Sequence, residues 1–293
     1  MYFLGILFAF GALFGWGFDD FTIQKSARKT GTFTTLLAIA TVGSIVLLPL
    51  IYHDLGKLFA NVSGIKLLLA ASGVGVIAAL LQFKALDRGK IFVMEPIMGL
   101  ELPLTIAIAV IFLNESFSFI QFMLTATMFT GIILVTTKHH LDLHYHKRML
   151  ERGVILSLLA AIFMAVLNVA IGEASKEISP LITIWFTHTV IALIMVEYFL
   201  LYRRDKQKLR YSLHHYYKIL LLVAFIDNLA WLSYGYAAKY IPISLAITIS
   251  EAYIILASLL GLWVNKEKFQ RHQIIGMGVA GVAVIILAYL HPG

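Results

Sequence analysis

Long, almost uninterrupted apolar runs recur along the chain and limit what it can fold into. Ten such segments can be delimited, at 2–24, 32–52, 66–86, 89–113, 117–137, 153–175, 179–202, 217–238, 241–264 and 270–290. About 20 residues of α-helix cross the ~30 Å hydrocarbon core of a bilayer. Lipid cannot satisfy backbone polar groups, and barrel strands would alternate polar and apolar residues. The pattern therefore predicts an all-α polytopic membrane protein with ten transmembrane helices.

The composition and the motifs exclude several other classes. The chain is 60% hydrophobic and 13% charged, whereas soluble domains are about half apolar and a quarter charged. It has no cysteine, which excludes disulfides and thiolate sites. There is no P-loop, Ser/His/Asp signature or HExxH motif, so we expect no enzyme activity, no cofactor and no ATP-driven transport. The first segment lacks a basic start and a clear cleavage site, so we do not interpret it as a signal peptide.

The basic residues predict an orientation in the membrane. Loops that follow odd-numbered segments hold 19 Lys and Arg, and the even-numbered loops hold four. Because Lys and Arg concentrate in cytoplasmic loops, we expect the odd loops inside, both termini outside, and a location in the cell membrane. The net charge of +7 is then explained by the membrane topology. The sequence has no basic stripe interleaved with aromatic residues, so it does not indicate nucleic-acid binding.

The second half of the chain resembles the first. Each half contains five segments. An offset of 148 residues aligns the beginnings of the two halves, and an offset of 152 aligns their later parts. The matched residues include Asp20 with Asn168, Ala85 with Ala237, Glu115 with Glu267, and Gln121 with Gln273. The sequence thus predicts a first repeat at 1–137, a cytoplasmic linker at 138–152 and a second repeat at 153–290. Five helices per repeat force the second to insert upside down, an arrangement typical of secondary transporters.

Four stretches carry a resemblance to a known family. They are GWGFDD (15–20), AAIFMAVLN (160–168), LELPLTIAIAVIFLNESFSFIQF (100–122) and ILASLLGLWVNKEKFQRHQIIGMGVAG (255–281). Over 1–290 the chain resembles the drug/metabolite transporter superfamily, specifically its EamA-type ten-helix exporters. The resemblance implies a transporter fold and export of a small molecule. Two departures concern the interior: Asp19-Asp20 is unusually acidic, and Tyr253 stands where the first repeat has Glu101.

Seven acidic residues fall inside the segments: Asp19, Asp20, Glu95, Glu101, Glu197, Asp227 and Glu251. A charge at the bilayer centre costs about 2.5–3.5 kcal/mol on insertion scales, so such groups usually face the interior of the bundle. Glu101, Asp227 and Glu251 are placed near the midplane and the other four nearer the cytoplasmic side. We expect a net acidic cavity, because His188 is the only basic candidate at depth.

Two polar stripes lie on helical spacing. Ser244, Thr248, Glu251 and Ser258 form one face, which indicates either a cavity lining or interhelical hydrogen bonding. Asp227, Trp231 and Tyr234 form another. A carboxylate beside aromatic rings suits an ammonium or guanidinium group, although an aromatic packing face around a neutral Asp would give the same pattern. If the two faces meet, Asp227 and Glu251 form one proton- or cation-responsive pair.

The first repeat contributes further candidates. Asp19 and Asp20 point about 100° apart on a helix, so we expect one to be a gate or proton site and the other to pair with Lys25 or Lys84. Alternatively, both pair with basic residues at the membrane edge. Trp16, one turn before Asp20, is expected to line the cavity, as is Asn168, its counterpart in the second repeat.

The fourth and ninth helices are predicted to form a moving seam. Glu101 shares a face with Met98 and Thr105, and Pro96 and Pro103 loosen the fourth helix. Gly99 aligns with Glu251, which puts a small residue opposite a charged one. The alternative is that the prolines only bend a static helix.

The resulting functional prediction is a secondary active transporter that exports a small cationic or zwitterionic metabolite or drug by alternating access. Proton exchange is the favoured coupling, with facilitated diffusion as the alternative. Other possibilities are an anion or nucleotide-sugar exchanger of the same superfamily, or a scaffold that transports nothing. The expected partners are the substrate, the bilayer and protons, and the chain is expected to act as a monomer or homodimer.

Two residue sets have a simpler explanation. The histidines of HHLDLHYH (139–146) and the pair His214-His215 suit solvated loops better than a metal site. The glycines are expected to permit close helix packing; they are Gly11, Gly15, Gly276, Gly278 and Gly281.

The loop asymmetry gives a testable topology. A reporter that is active only in the cytoplasm should be silent when fused after Gly293 and active when inserted within 203–218. Fusions at both sites in intact cells measure this directly. Reporter activity after Gly293 would contradict the predicted orientation.

Overall fold

The computed structural model describes residues 1–60, 62–88, 94, 97–136, 147–264 and 270–290. Regular structure in this part of the chain is entirely helical. The α-helices are α1 (Tyr2–Thr30), α2 (Thr32–Ile51), α3 (Leu55–Ala60), α4 (Val62–Arg88), α5 (Glu101–Leu113), α6 (Phe119–Thr136), α7 (Lys147–Glu177), α8 (Pro180–Leu201), α9 (Arg203–His215), α10 (Tyr217–Tyr240), α11 (Ile243–Ser250), α12 (Tyr253–Val264) and α13 (Arg271–Tyr289). A short 3₁₀ helix, Tyr52–Asp54, joins α2 to α3.

Helix length and hydropathy confirm a multi-pass membrane protein. In the described residues, seven helices are long and apolar enough to cross a bilayer: Tyr2–Thr30, Thr32–Asp54, Val62–Arg88, Arg152–Glu177, Pro180–Leu201, Tyr217–Tyr240 and Arg271–Tyr289. Three apolar helices are shorter, at Glu101–Leu113, Phe119–Val135 and Ile243–Ala257. Thirteen residues of α5 rise only about 20 Å, so the number of ten crossings stays a prediction.

The main differences from the predicted segments lie in the loops. The helix α7 begins at Lys147, inside the stretch predicted as linker, because Lys, Arg, Met, Leu and Glu all favour helix. The basic seventh loop also contains a helix, α9. Its His214 and His215 are exposed, and the ring of His215 contacts the carbonyl of Tyr211. The histidine-rich stretch 139–146 lies outside the described residues.

The loops meet in two separate groups. At one end Arg28 Nε donates to the carbonyl of Asp87 at 3.4 Å, and Lys29 Nζ lies 5.7 Å from the ring centroid of Tyr216. These contacts join the first, third and seventh loops. At the other end Glu115 contacts Lys176 and the start of α11, which joins the fourth, sixth and eighth loops. Three odd loops therefore contact one another, and three even loops contact one another.

Both repeats contain a break at the same aligned position. Turns at Gly99–Leu100 and at Glu251–Ala252 precede α5 and α12. In each turn the backbone bonds span three residues. The N–H of Leu100 donates to Ile97 at 3.2 Å and that of Ala252 to Ile249 at 3.3 Å; Leu102 donates to Gly99 and Ile254 to Glu251, both at 3.2 Å.

Proline explains only one of these breaks. Pro103 has no N–H to donate to the carbonyl of Gly99, and that carbonyl accepts from Leu102 instead. Ile255, the aligned residue, does have an N–H, which donates to Ala252 at 3.1 Å. The break is thus shared by the two repeats, and it places Glu101 and Glu251 at helix interruptions. Such interruptions are tolerated at membrane depth only inside the protein or along a cavity.

Close helix packing is confirmed for some of the glycines and wrong for others. A Cβ on Gly15 would lie 2.6 Å from Ala230 Cβ, and one on Gly11 3.1 Å from Ser233 Oγ, which brings α1 against α10. A Cβ on Gly276 would lie 2.6 Å from the carbonyl of Gly131, so α6 and α13 touch through glycine. Gly278 and Gly281 have open space around the Cβ position because they occupy other faces of α13.

The glycine contact between α6 and α13 gives a prediction with an internal control. Gly276→Leu should lower the free energy of unfolding by about 1–3 kcal/mol, the usual cost of overpacking. Gly278→Leu, on the same helix, adds the same side chain into open space and should leave stability unchanged. Thermal melting of both variants in detergent measures the difference. Equal melting temperatures would contradict this close contact.

Candidate functional site

A small polar cavity lies where the broken helices meet the first and tenth. Contributions come from both repeats; the lining residues are Trp16, Asp19, Asp20, Ile23, Gln82, Glu101, Met164, Asn168, Asp227, Trp231 and Tyr253. Its volume is about 30 Å³, measured as the space open to the centre of a water molecule. At about 10–15 Å³ per water on this measure, it holds two waters or so, and a metabolite enters only if the helices separate.

The lining is strongly acidic. Four of its side chains are carboxyl groups, those of Asp19, Asp20, Glu101 and Asp227, and the residues that line it include no lysine or arginine. All four are buried. This geometry agrees with the net acidic cavity expected from the sequence.

Two carboxyl–carboxyl contacts connect the repeats. The side chain of Asp19, from α1, interacts directly with that of Asp227, from α10. The side chain of Glu101 does the same with that of Glu251. Two carboxylates this close in a low-dielectric site repel each other, so a proton on one member of a pair makes the contact attractive.

The structure shows which acids meet. The sequence left open whether Asp227 and Glu251 face each other; in the structure Asp227 meets Asp19, and Glu251 meets Glu101. The reason is that α1 packs against α10, and α5 packs against α11. The predicted crossing of the fourth and ninth segments is therefore present, with Glu101 as the contact of Glu251.

Asp19 and Asp20 both line the cavity, contrary to the expectation that only one would. The helix α1 lies between α4 and α10, so successive residues reach opposite walls. Asp20 Oδ1 accepts a hydrogen bond from Gln82 Nε2 of α4 at 3.1 Å, and Asp19 reaches Asp227. Lys84 is instead placed over the ring of Phe33, with Nζ 5.3 Å from the centroid.

Aromatic rings form one wall. The Trp16 centroid lies 5.2 Å from that of Trp231 and 5.4 Å from that of Tyr234, and the Tyr253 ring lies 6.0 Å from Trp16. The hydroxyl of Tyr234 donates to the carbonyl of Asn168 at 3.0 Å. Tyr234 thus supports the two tryptophans, whose rings border the carboxyl groups.

The candidate residues from the sequence divide into three groups. Six of them line the cavity: Trp16, Asp20, Glu101, Asn168, Asp227 and Trp231. Glu251 and Tyr234 do not line the cavity themselves but contact residues that do. Thr248 lies apart, because its hydroxyl donates to the carbonyl of Ser244 at 2.6 Å within its own helix. Glu95 and Pro96 lie outside the described residues, and Glu197 is exposed.

Sequence reasoning gave no role to two parts of the site. Gln82 was not a candidate from the sequence, and its hydrogen bond to Asp20 places it at the site. His188 was noted only as a base at depth. Its Nδ1 lies 2.8 Å from Asn228 Oδ1, and its Nε2 lies 3.9 Å from Asp227 Oδ1.

A second polar cluster lies at the end where the even loops meet. Glu115 accepts hydrogen bonds from the N–H of Ile243 at 2.7 Å, from the N–H of Ser244 at 2.9 Å and from its hydroxyl at 2.8 Å. Lys176 Nζ lies 3.0 Å from the same carboxylate. A carboxylate of the first repeat thereby caps the N-terminus of α11 in the second, where anions are favoured.

The environment of Glu115 determines its charge. Burial by itself raises the pKa of Glu115, but the hydrogen bonds from Ser244 and Ile243 and the nearby Lys176 ammonium outweigh burial and lower the pKa below its ordinary value. The group is therefore ionised at neutral pH.

The match to known proteins follows this architecture. The family model of EamA-like transporters matches residues 3–137 and again residues 151–289. The chain belongs to the EamA-like transporter family. The resemblance stated from the sequence is thus confirmed, and EamA-like proteins are membrane transporters of the drug/metabolite transporter superfamily.

Solved structures show the same fold. One crystal structure of a protein superimposes on this EamA-like chain with a TM-score of 0.72 and 12% sequence identity, over 97% of each chain. At that identity the likeness shows the fold alone. A comparison with the curated proteins found no match.

The Glu115 cap gives a prediction for stability and its pH dependence. Glu115→Gln should lower the free energy of unfolding by about 1–3 kcal/mol, because three hydrogen bonds to a charged acceptor lose strength. Since the pKa is lowered in the folded state, the stabilisation is complete above the ordinary value of 4.5. It is lost as the pH falls through the lowered value. Melting curves of both proteins between pH 3 and pH 7, a range set around ~4.3 for unfolded Glu, should therefore converge at the acid end.

Glu177→Gln is the matched control, because Glu177 lies at the same end of the molecule and is exposed. It should melt like the wild type at every pH. Identical behaviour of the two variants would remove the capping role of Glu115.

Proposed function

We propose that this EamA-like protein is a secondary active transporter that exports a small cationic or zwitterionic metabolite or drug by alternating access, in exchange for protons. It crosses the cell membrane ten times as two inverted repeats, with odd loops in the cytoplasm and both termini outside. The observation that carries the proposal is the cavity with four carboxyl groups and no lining lysine or arginine.

The chemistry of the cavity favours a cation over an anion. An ammonium or guanidinium group forms charge-assisted hydrogen bonds with carboxylates and is attracted to the faces of Trp16 and Trp231. A phosphate or nucleotide sugar would require basic side chains at the site and would be repelled by the acids. This argues against the anion-exchanger alternative, and a scaffold has no need for buried acids.

The acid pairs supply a coupling mechanism. While the cavity is empty, each pair holds a proton, and the contact between the repeats is attractive. A substrate cation competes for the same carboxylates, so its entry releases protons and its departure allows them to return. Because Asp19 and Glu101 belong to one repeat and Asp227 and Glu251 to the other, the exchange acts on the interface that moves in alternating access.

Substrate class is testable on the purified protein. A thermal-shift screen should find stabilisation by amines or cationic amino acids, which bind the folded state. Uptake of the radiolabelled hits into proteoliposomes should depend on an imposed pH gradient. Stabilisation by nucleotide sugars and organic anions alone would favour the alternative.

Single substitutions separate binding from coupling. Asp227→Asn should weaken cation binding by about tenfold or more, equivalent to ~1.4 kcal/mol, with little effect on folding. Glu251→Gln should retain transport but lose its pH dependence, since an amide keeps the hydrogen bond and cannot release a proton. Glu197→Gln, at an exposed acid of α8, is the control and should match the wild type. Unchanged affinity and pH profile in both site variants would leave the acids as packing contacts.

A further inference from the structure

A polar network behind Asp227 fixes the protonation of one histidine. Asn228 Nδ2 donates to the carbonyl of Ala224 at 2.8 Å and to that of Ile39 at 3.1 Å. Its Oδ1 is therefore the atom that faces His188 Nδ1 at 2.8 Å. An amide oxygen only accepts, so His188 Nδ1 carries a proton. In the neutral ring, Nε2 is then an unprotonated acceptor.

That acceptor faces the central carboxyl group. His188 Nε2 lies 3.9 Å from Asp227 Oδ1, with both side chains less than a tenth exposed. Asp227 Oδ1 makes no hydrogen bond within the described residues. Two unprotonated acceptors would repel each other, whereas one proton between them makes the contact attractive. At 3.9 Å the two atoms are not hydrogen-bonded, and an approach of about 1 Å would bring them within hydrogen-bond distance for proton transfer.

The fold makes room for this network at a glycine. A Cβ on Gly43 of α2 would overlap Asn228 Oδ1 and would lie 2.5 Å from His188 Nδ1. Any larger residue there would displace the pair. The close approach of α2 thus supplies both the space and, through Ile39, an acceptor for the Asn228 amide.

His188 borders a second cavity. This cavity, of about 40 Å³ on the same measure, is lined mainly by apolar side chains of α2, α4, α7 and α8. His188 and Asp227 both border it, and Asp227 borders the acidic cavity as well. The histidine therefore contacts Asp227 from the side of the second cavity.

The charged groups around the pair are almost all acidic. The helix α1 brings Asp19 and Asp20, and the helix breaks bring Glu101 and Glu251. The helices α4 and α7 bring the uncharged Gln82 and Asn168 to the lining, and α2 brings Gly43 and a main-chain carbonyl. An imidazolium here has carboxylates as its charged neighbours.

We propose that His188 is the proton acceptor for Asp227 in the transport cycle. In the empty cavity the proton lies on the Asp227 carboxyl group. When a substrate cation binds Asp227, the O–H bond of its carboxyl group breaks and an N–H bond forms at His188 Nε2. The proton on His188 Nδ1 stays in place, hydrogen-bonded to Asn228 Oδ1. The imidazolium then gives this proton to water in the second cavity. The inference rests on the proposed function and assigns its proton path.

The first experiment needs no substrate. Nitrogen-15 NMR of labelled protein, with His188→Gln used to identify the signals of His188, reports which ring nitrogen is protonated in the neutral form. The expected result is protonation at Nδ1 alone. A neutral ring protonated at Nε2 would overturn the proposal, because that atom could not accept a proton.

The second experiment uses agmatine, a small cation with a guanidinium and an amine, in proteoliposomes that contain a pH-sensitive dye. His188→Gln should reduce agmatine-driven proton movement by about tenfold or more, within the range for a general acid–base group. Exchange of labelled for unlabelled agmatine, which moves no net proton, should fall by a smaller factor than the proton movement. Gly43→Ala should reproduce the effect by displacing the network, and His214→Gln, at an exposed histidine, should behave as the wild type.

The outcomes separate the two proposals. Unchanged proton movement in His188→Gln overturns the role of His188 and leaves the proposed function intact. Loss of both activities makes His188 a structural residue and also overturns it. If the wild type moves neither agmatine nor protons, the proposed function fails for this class of cation, and the NMR result alone decides whether His188 can accept a proton.

Discussion

Buried carboxyl groups from the two halves of this protein lie side by side where the repeats meet. Asp19 with Asp227 and Glu101 with Glu251 each take one member from either repeat. In water a pair of this kind would simply ionise, but burial among apolar helices makes two adjacent carboxylates unfavourable. The Gln82 amide on Asp20 and the tryptophans around the cavity are arranged about these pairs.

Much of this arrangement could be predicted from the sequence, and its limits have a physical cause. Apolar length identified the spans, and the cost of a buried charge identified Asp227, Glu101 and Glu251 as interior groups. Helical spacing gives the face of a residue but not the neighbour that the face meets, so the partners of Asp227 and Glu251 could not be assigned from the sequence. Nor does spacing give the rotamer: Thr248 shares a stripe with Glu251, yet its hydroxyl turns back onto its own helix.

The repeat alignment itself concealed one pair. An offset of 152 sets Gly99 against Glu251 and Glu101 against Tyr253, so the two glutamates are not equivalent positions. The backbone breaks, in contrast, are equivalent, with matching three-residue hydrogen bonds in both repeats. The feature common to both repeats is thus the interruption of the helix, and the acidic residue occupies a different position of this interruption in each repeat. Such asymmetry allows Glu101 and Glu251 to meet across the interface instead of occupying mirrored and separate sites.

The distance along the chain between paired acids has a consequence for biosynthesis. Ribosomes add about 5–20 residues per second. The synthesis of α1 therefore precedes that of α10 by on the order of tens of seconds. During this interval Asp19 is without Asp227, and the glycine face of α1 is without Ala230 and Ser233. The first helix must therefore stay near the translocation machinery, or enter the bilayer with its acids protonated, until most of the protein has been made. Final assembly of the bundle is consequently a late event, completed only when the second repeat arrives.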